Sequence, residues 1–273
     1  MAGIKTISCT KSDWLEDCKS TLALDGVIVI SDLISRNESL ALSNAVEDSL
    51  RLAVIGIGNE TLSRAGERGV VRCPFIYNDI FFDLFANELI LEIVGAFVGT
   101  TAICHLQNGI VLNPNSSGET LEFQDRLHRD FPRYLNGYCA SINTFFCLSD
   151  FTKENGGTRF ILGSHQKSHD TPPTGHDERV VEAQSGSLIV FDSTIWHAGG
   201  PNRTHKNRNA VNIQWTRSYI KQQIDLIRLI DSDVLRNLPE KTQQILGLYT
   251  RIPTSMQEYY VLPADRLYRS GQG

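Results

Sequence analysis

A histidine and an aspartate two positions apart, His128 and Asp130, have the spacing in this sequence that most directly indicates metal chemistry. Side chains at positions i and i+2 of an extended strand point to the same face, so both can be directed at one point. A third candidate ligand, His197, lies much later in the chain. Two imidazoles and one carboxylate on one face of an ion form a facial triad, which leaves coordination positions open and is typical of non-haem Fe(II). The sequence therefore predicts an iron site on these three residues.

The residues around His197 strengthen this prediction. The apolar run 188–191, which a Gly-Ser turn precedes, is typical of a buried strand, and His197 follows that strand. Arg208 comes eleven positions later, directly before another strand-like run, so a hairpin would bring it close to His197. A guanidinium binds a carboxylate through two parallel hydrogen bonds. A 2-oxo acid that chelates the iron needs such a partner for its distal carboxylate.

Two further motifs accompany these residues, namely the polar segment 150–159 and the turn Gly163-Ser164-His165. The ordered series of motifs resembles the phytanoyl-CoA dioxygenase family over about residues 22–215. The resemblance implies an Fe(II)- and 2-oxoglutarate-dependent oxygenase that also uses O₂, with iron on the predicted triad and 2-oxoglutarate on Arg208. It further implies the oxidation, above all the hydroxylation, of a small molecule such as a natural-product intermediate, amino acid or acyl derivative, with release of succinate and CO₂. The resemblance does not specify the substrate.

Other polar residues are weaker candidates. Gln107 and Thr144 stand among apolar strand neighbours, where a buried polar group needs a partner, so each is a candidate for contact with the co-substrate or the substrate. A cross-strand hydrogen bond explains either residue equally well. His105 is a spare ligand candidate for which a packed core role is expected, and His165 is expected to make a structural hydrogen bond.

Two other classes of function could use the same residues. A metal-dependent hydrolase could hold zinc on the His-Asp-His set and activate water, and Arg208 would then be incidental. Its activity would need neither O₂ nor 2-oxoglutarate. A non-catalytic barrel that binds a small molecule is the third alternative, although the intact triad and Arg208 argue against it.

Strand-like segments recur at short intervals in the second half of the chain, which is typical of an all-β barrel or sandwich and not of alternating βαβ units. Strands are predicted at 27–30, 101–113, 120–125, 138–149, 158–162, 179–182, 187–192 and 209–219. Helices are predicted at 11–22, 36–52, 78–97 and 220–248, with a glycine-rich loop at 53–71. With the family resemblance, this pattern predicts a mainly β fold with flanking helices around a double-stranded β-helix (jelly-roll, cupin-like) core. We expect a single domain over 1–273, with a helical N-terminal part (1–98), a core (99–219) and a C-terminal helical extension (220–273). We also expect that segments 53–71 and 165–178 and the C-terminal helix select the substrate.

Composition restricts the partners and the cellular location. The chain has 273 residues, of which 41% are hydrophobic, and its net charge of −5 comes without a basic block, so a nucleic-acid surface is not indicated. Six cysteines without a C-x-x-C pair are typical of free thiols in a reducing compartment. No apolar run approaches the roughly 18 residues that span a bilayer, and the start lacks a signal sequence. We therefore expect a cytoplasmic protein with a small-molecule substrate and no membrane partner. The sequence does not determine the oligomeric state, for which a homodimer is one alternative.

Overall fold

The computed structural model describes residues 3–114, 126–168, 170–174 and 177–266, and these contain two β-sheets. The strands are β1 (Thr6–Ser8), β2 (Val27–Ser31), β3 (Val70–Arg72), β4 (Ile103–Leu112), β5 (Ser141–Cys147), β6 (Arg159–Ile161), β7 (Glu178–Val180), β8 (Leu188–Asp192), β9 (His197–Ala198) and β10 (Arg208–Thr216). The major sheet has the order β1-β2-β8-β5-β10-β4-β3, and the minor sheet has the order β7-β6-β9. In the major sheet β1 and β2 pair in parallel, and the other strand pairs described in both sheets are antiparallel.

Helices precede and follow the strands of the core. They are α1 (Trp14–Asp25), α2 (Arg36–Ile57), α3 (Asn59–Arg64), α4 (Glu88–Val98), α5 (Leu226–Leu229), α6 (Ser232–Asn237), α7 (Glu240–Ile245) and α8 (Met256–Tyr259), with short 3-10 helices at Pro74–Ile76, Asp79–Phe85, Ser164–Gln166, Leu248–Thr250 and Pro263–Asp265. Within the described ranges, no helix is long and apolar enough to cross a membrane.

The two faces of the major sheet are buried against different partners. One face packs against the helices in a cluster that joins side chains from the N-terminal part, the core and the C-terminal part, such as Leu42, Ile213 and Ile245. The other face packs against the minor sheet through a second cluster that includes Phe145 and Phe160. This arrangement confirms the predicted mainly β fold with flanking helices. Because all three parts contribute to one cluster, we infer that they form one domain.

Two predicted elements of the N-terminal part differ from the structure. The predicted loop 53–71 contains the end of α2, all of α3 and the start of β3, because Gly56 lies within the helix and only Gly58, at φ +93°, separates α2 from α3. The predicted helix 78–97 is instead a 3-10 helix followed by α4, because the Asn87 side chain accepts a hydrogen bond from the backbone N–H of Ile90 and starts a new helix. The predicted strand 120–125 lies outside the described residues.

The C-terminal helix predicted over 220–248 is divided into α5, α6 and α7. Asp225 and Asp231 each cap a new helix through hydrogen bonds from backbone N–H groups one turn ahead. Leu238 adopts extended backbone angles before Pro239, which cannot continue a preceding helix. The apolar periodicity that predicted one long helix therefore belongs to three short helices.

We predict that replacing Ser35 with alanine lowers the free energy of unfolding by about 1 kcal/mol. The Ser35 hydroxyl accepts the Glu38 N–H at 3.2 Å, while the Glu38 carboxylate accepts the Ser35 N–H at 2.8 Å, so both bonds start α2. Urea denaturation of Ser35→Ala measures the loss. Asn44→Ala, an exposed change inside the same helix, is the control and should leave the stability unchanged or raise it. Equal stabilities of Ser35→Ala and the parent protein would contradict the prediction.

Candidate metal centre and co-substrate cavity

The predicted triad is assembled by one pair of backbone hydrogen bonds. His128 and His197 face each other as an antiparallel bridge, in which each backbone N–H donates to the carbonyl of the other residue at 2.9 and 3.0 Å. This pairing places the two imidazole rings 4.3 Å apart, centroid to centroid. Asp130 completes the group, with its carboxylate oxygens 3.5 Å from His128 Nε2 and 3.7 Å from His197 Nε2. The three ligand atoms lie within 4.8 Å of one another, which confirms that the triad residues meet at one point.

Both imidazoles are oriented by a local hydrogen bond. His128 Nδ1 lies 2.8 Å from the carbonyl oxygen of Arg126, and His197 Nδ1 lies 3.1 Å from that of Ile195. A carbonyl oxygen only accepts, so each Nδ1 donates its proton to that oxygen and each Nε2 is the ring nitrogen that faces Asp130. Such an outer hydrogen bond fixes the tautomer and the ring orientation of metal-binding histidines. The donor set therefore fits an Fe(II) ion.

The electrostatics of the triad favour a charged carboxylate beside imidazole. Burial lowers the pKa of His197 to about 4, although the charge of Asp130 opposes this shift. Burial also acts to lower the pKa of His128, but the hydrogen bond to Asp130 and its charge outweigh burial and raise it. Burial acts to raise the pKa of Asp130, but the nearby His197 and His128 rings, together with Arg72, hold it below its usual value. Asp130 is thus ionised and His197 is neutral at physiological pH, which are the forms that bind a metal.

The Gly163-Ser164-His165 turn positions the strand that carries His197. The Ser164 hydroxyl accepts a hydrogen bond from the backbone N–H of Trp196 at 3.0 Å, next to the metal ligand. The His165 ring and the Gln166 amide contact the carbonyl of Ala23 near the end of α1, at 3.2 and 3.1 Å. The expectation of a structural hydrogen bond for His165 is therefore confirmed. The turn therefore connects helix α1, through hydrogen bonds, to the backbone next to His197.

Arg208 and the triad line the same cavity. The Arg208 side chain is buried, with 3% of its surface exposed, and its guanidinium carbon lies 4.4 Å above the Phe151 ring. Packing on the aromatic ring restrains the orientation of the guanidinium plane. A guanidinium with a fixed orientation can bind a planar carboxylate through two parallel hydrogen bonds. The remaining lining residues are Arg72, Asn108, Ile110, Phe145, Thr158, Phe191, Gly199 and Asn212. The predicted proximity of Arg208 to the triad is therefore present in the structure.

Gln107 and Thr144 do not reach this cavity, which corrects the prediction of their contact with the co-substrate. The Gln107 amide donates to the Phe81 carbonyl at 3.1 Å, and the Thr144 hydroxyl accepts the indole N–H of Trp215 at 2.8 Å. Both side chains point to the helix-covered face of the major sheet. The alternative explanation, a structural hydrogen bond, accounts for each of them.

Four polar residues of the cavity were missed by the sequence reasoning, namely Arg72, Asn108, Thr158 and Asn212. Asn108 directly follows Gln107 in β4, so the correct strand was identified with the wrong face. Asn212 lies four positions after Arg208 on β10, and this even spacing could have placed it on the face of Arg208. His105 is not part of the metal-binding cluster found among the described residues, although the charge of Asp130 opposes the lowering of its pKa by burial.

Comparison with known proteins identifies the family. The model of the phytanoyl-CoA dioxygenase family matches residues 22–210. The chain belongs to the phytanoyl-CoA dioxygenase family. An uncharacterized protein of Mycobacterium tuberculosis is 40% identical over 276 residues, which cover 100% of both chains. A dioxygenase of Alternaria alternata is 24% identical over 72% of this chain and 66% of its own length.

Solved structures share the fold of this phytanoyl-CoA dioxygenase family member. The epimerase SnoN in complex with Fe3+, alpha ketoglutarate and nogalamycin RO has a TM-score of 0.53 at 14% identity, over 76% of this chain and 84% of its own. The non-haem monooxygenase ThoJ in its Ni complex has a TM-score of 0.58 at 22% identity, over 75% of this chain and 79% of its own. These likenesses confirm the predicted jelly-roll core. Family membership and the triad identify the protein as a non-haem iron oxygenase that uses 2-oxoglutarate.

We predict that Asp130→Asn weakens Fe(II) binding by at least about 100-fold, the upper end of the loss caused by removing an outer-shell partner. The change removes the negative charge from the cluster while it keeps the side-chain shape. Anaerobic competition with a chromogenic chelator measures the affinity. Asp192→Asn is the matched control, because the Asp192 carboxylate accepts two hydrogen bonds from Thr194 and lies outside the triad. Equal Fe(II) affinities of Asp130→Asn and the parent protein would show that this carboxylate is not a ligand.

Proposed function

We propose that this protein hydroxylates a small-molecule substrate in a reaction that converts 2-oxoglutarate and O₂ to succinate and CO₂. The observation that carries the proposal is the single cavity that contains both the triad and the buried Arg208. A metal site alone suits many reactions, and a buried arginine alone suits many anions. Their presence on one cavity wall matches a co-substrate that bears both a chelating 2-oxo acid group and a second carboxylate.

Each residue of the cavity has a distinct role in this proposal. His128, Asp130 and His197 would hold Fe(II), and Arg208 would bind the distal carboxylate of 2-oxoglutarate. When bound, the iron and the 2-oxo acid supply the activation of O₂. The protein would supply position and shielding: Phe145 and Phe191 line the same cavity and would limit the access of water to the reacting atoms.

The carboxylate of Asp130 bears on the type of oxidation. An aspartate ligand occupies the coordination position that a halide would need, so the proposal favours hydroxylation over halogenation. Desaturation, epoxidation and rearrangement can start from the same oxidised site, and mass analysis of the product distinguishes them. We further propose that segments 53–71 and 165–178 and the C-terminal helices select the substrate. A cytoplasmic location and a homodimer stay predictions.

The hydrolase alternative makes opposite predictions for oxygen and for Arg208. Zinc on the triad could activate water without either co-substrate. Its activity would persist without O₂ and would tolerate the loss of Arg208. The buried position of Arg208 over Phe151, within the cavity of the triad, favours the oxygenase, since a water-activating site has no need of a buried guanidinium there.

We predict that Arg208→Ala weakens the binding of 2-oxoglutarate by about 10- to 100-fold, because it removes charge-assisted hydrogen bonds to one carboxylate. Anaerobic titration of the Fe(II)-loaded protein with 2-oxoglutarate, followed by the visible metal-to-ligand charge-transfer band, measures the affinity. Fe(II) affinity should not change.

Arg217→Ala is the matched control for this titration. Arg217 follows β10 at its opposite end and donates to the carbonyls of Cys139 and Phe97 at 3.0 and 3.3 Å, outside the cavity. It should bind 2-oxoglutarate as the parent protein does. A folded, iron-loaded parent protein that gives no band would contradict the proposed function and favour the hydrolase.

A further inference from the structure

Two buried asparagines face each other in the cavity of the triad. Asn108 on β4 and Asn212 on β10 are direct register partners, and each has 8% of its surface exposed. Side chains of directly opposed residues on neighbouring strands lie on the same face of the sheet, close together. Both residues line the cavity with His128 and Asp130. The wall of the metal cavity therefore carries a pair of carboxamides.

The Asn212 side chain is held by a chain of hydrogen bonds along the inner face of the sheet. Its Nδ2 donates to Asn143 Oδ1 at 2.9 Å, and Asn143 Nδ2 donates to Ser193 Oγ at 2.8 Å. The Ser193 hydroxyl also accepts the hydroxyl of Ser141 at 2.8 Å. This network uses one N–H of the Asn212 amide and leaves its carbonyl oxygen for another partner.

The acceptor oxygens of both carboxamides are buried and unmatched. Asn108 Oδ1 and Asn212 Oδ1 accept no hydrogen bond from any residue that the structure describes. A buried acceptor without a donor is unfavourable, so unmatched oxygens in a cavity wall indicate the ligand that completes them. Two acceptors side by side need a ligand with N–H or O–H donors.

The co-substrate cannot supply these donors. At neutral pH 2-oxoglutarate carries two carboxylates and a keto oxygen, all of which only accept hydrogen bonds. An unsubstituted hydrocarbon chain supplies none either. Phe145 is the register partner of Asn212 on its other side, so an aromatic ring lies next to the two carboxamides on the same wall. The subsite thus combines two acceptors with an apolar surface.

We propose that Asn108 and Asn212 form the substrate subsite, and that it recognises hydroxyl or amide N–H donors carried on an apolar skeleton. The assignment rests on the proposed function, which places the substrate in the cavity of the triad. This subsite would favour a substrate that carries hydrogen-bond donors next to Asn108 and Asn212 over one that places an unsubstituted acyl chain there. Specificity of this kind is strong, because a ligand without the donors leaves both buried oxygens unpaired.

The test compares probe pairs in which methylation removes the hydrogen-bond donors. Hexane-1,2-diol is paired with 1,2-dimethoxyhexane, and hexanamide is paired with N,N-dimethylhexanamide. Dissociation constants are measured by ligand-observed NMR on the anaerobic Fe(II)- and 2-oxoglutarate-loaded protein, so no turnover is needed. We expect the donor-bearing member of at least one pair to bind about tenfold more tightly, which corresponds to one hydrogen bond of about 1.4 kcal/mol.

Variants show whether the asparagines cause the preference. Asn212→Leu and Asn108→Leu should each remove it, and Asn108 lies outside the hydrogen-bond network of Asn143, so its variant keeps that network. Asn209→Leu is the matched control, because Asn209 is a buried carboxamide on β10 that donates to Ser43 Oγ at 2.8 Å on the helix-covered face. The control should keep the preference for donors.

Three outcomes would overturn the proposal. The first is equal binding within both probe pairs, and the second is a preference for donors that persists in both leucine variants. The third is a loss of 2-oxoglutarate affinity in these variants while the preference for donors is kept, which would assign the carboxamides to the co-substrate. Failure of the proposed function is read separately, from the charge-transfer titration of the parent protein without any probe. The probe comparison can still be made on Fe(II)-loaded protein that binds no 2-oxoglutarate.

Discussion

The site depends on the reciprocal backbone pairing of His128 and His197. These residues are far apart in the chain, and two hydrogen bonds between their own backbones bring their imidazoles into contact range. The pairing is stable because β9 belongs to the minor sheet, where Phe160 is the register partner of His197. The Phe191 ring, on the major sheet, also packs against His197, with ring centroids 4.9 Å apart. Both sheets therefore hold the metal ligands.

The major sheet separates two chemical environments. Its outer face is apolar and packs against helices, and polar groups on that face, such as the hydroxyl of Thr144, bind other protein groups. Its inner face carries carboxamides, hydroxyls and Arg208 among aromatic rings. The alternation of side chains along β5 and β10 produces both environments from alternate residues of the same strands. A polar cavity can therefore exist in the middle of a protein whose central strands are buried throughout.

The sequence contained enough information to predict the triad and Arg208, because their chemistry limits the residue types and because a hairpin brings Arg208 back to His197. The face of a strand is harder to predict. A shift of one residue moves every side chain to the other side of a sheet, and β4 is buried on both sides, so its hydropathy did not distinguish Gln107 from Asn108. The prediction of one long C-terminal helix failed for a related reason. Apolar spacing indicates which side chains are buried, whereas Asp225, Asp231 and Pro239 determine where each helix begins and ends.

The contact between helix α1 and the Gly163-Ser164-His165 turn makes the N-terminal part of the chain a component of the metal centre. Gly26 ends α1 at φ +80°, and a β-carbon there would lie 2.5 Å from His165 Nδ1, so the helix end and the turn fit only in this close arrangement. Since Ser164 binds the backbone next to His197, opening of α1 would loosen that ligand. By thermodynamic linkage, an ion bound to the triad opposes the opening. Amide hydrogen exchange in α1 would therefore slow when the metal binds, although no residue of α1 belongs to the triad.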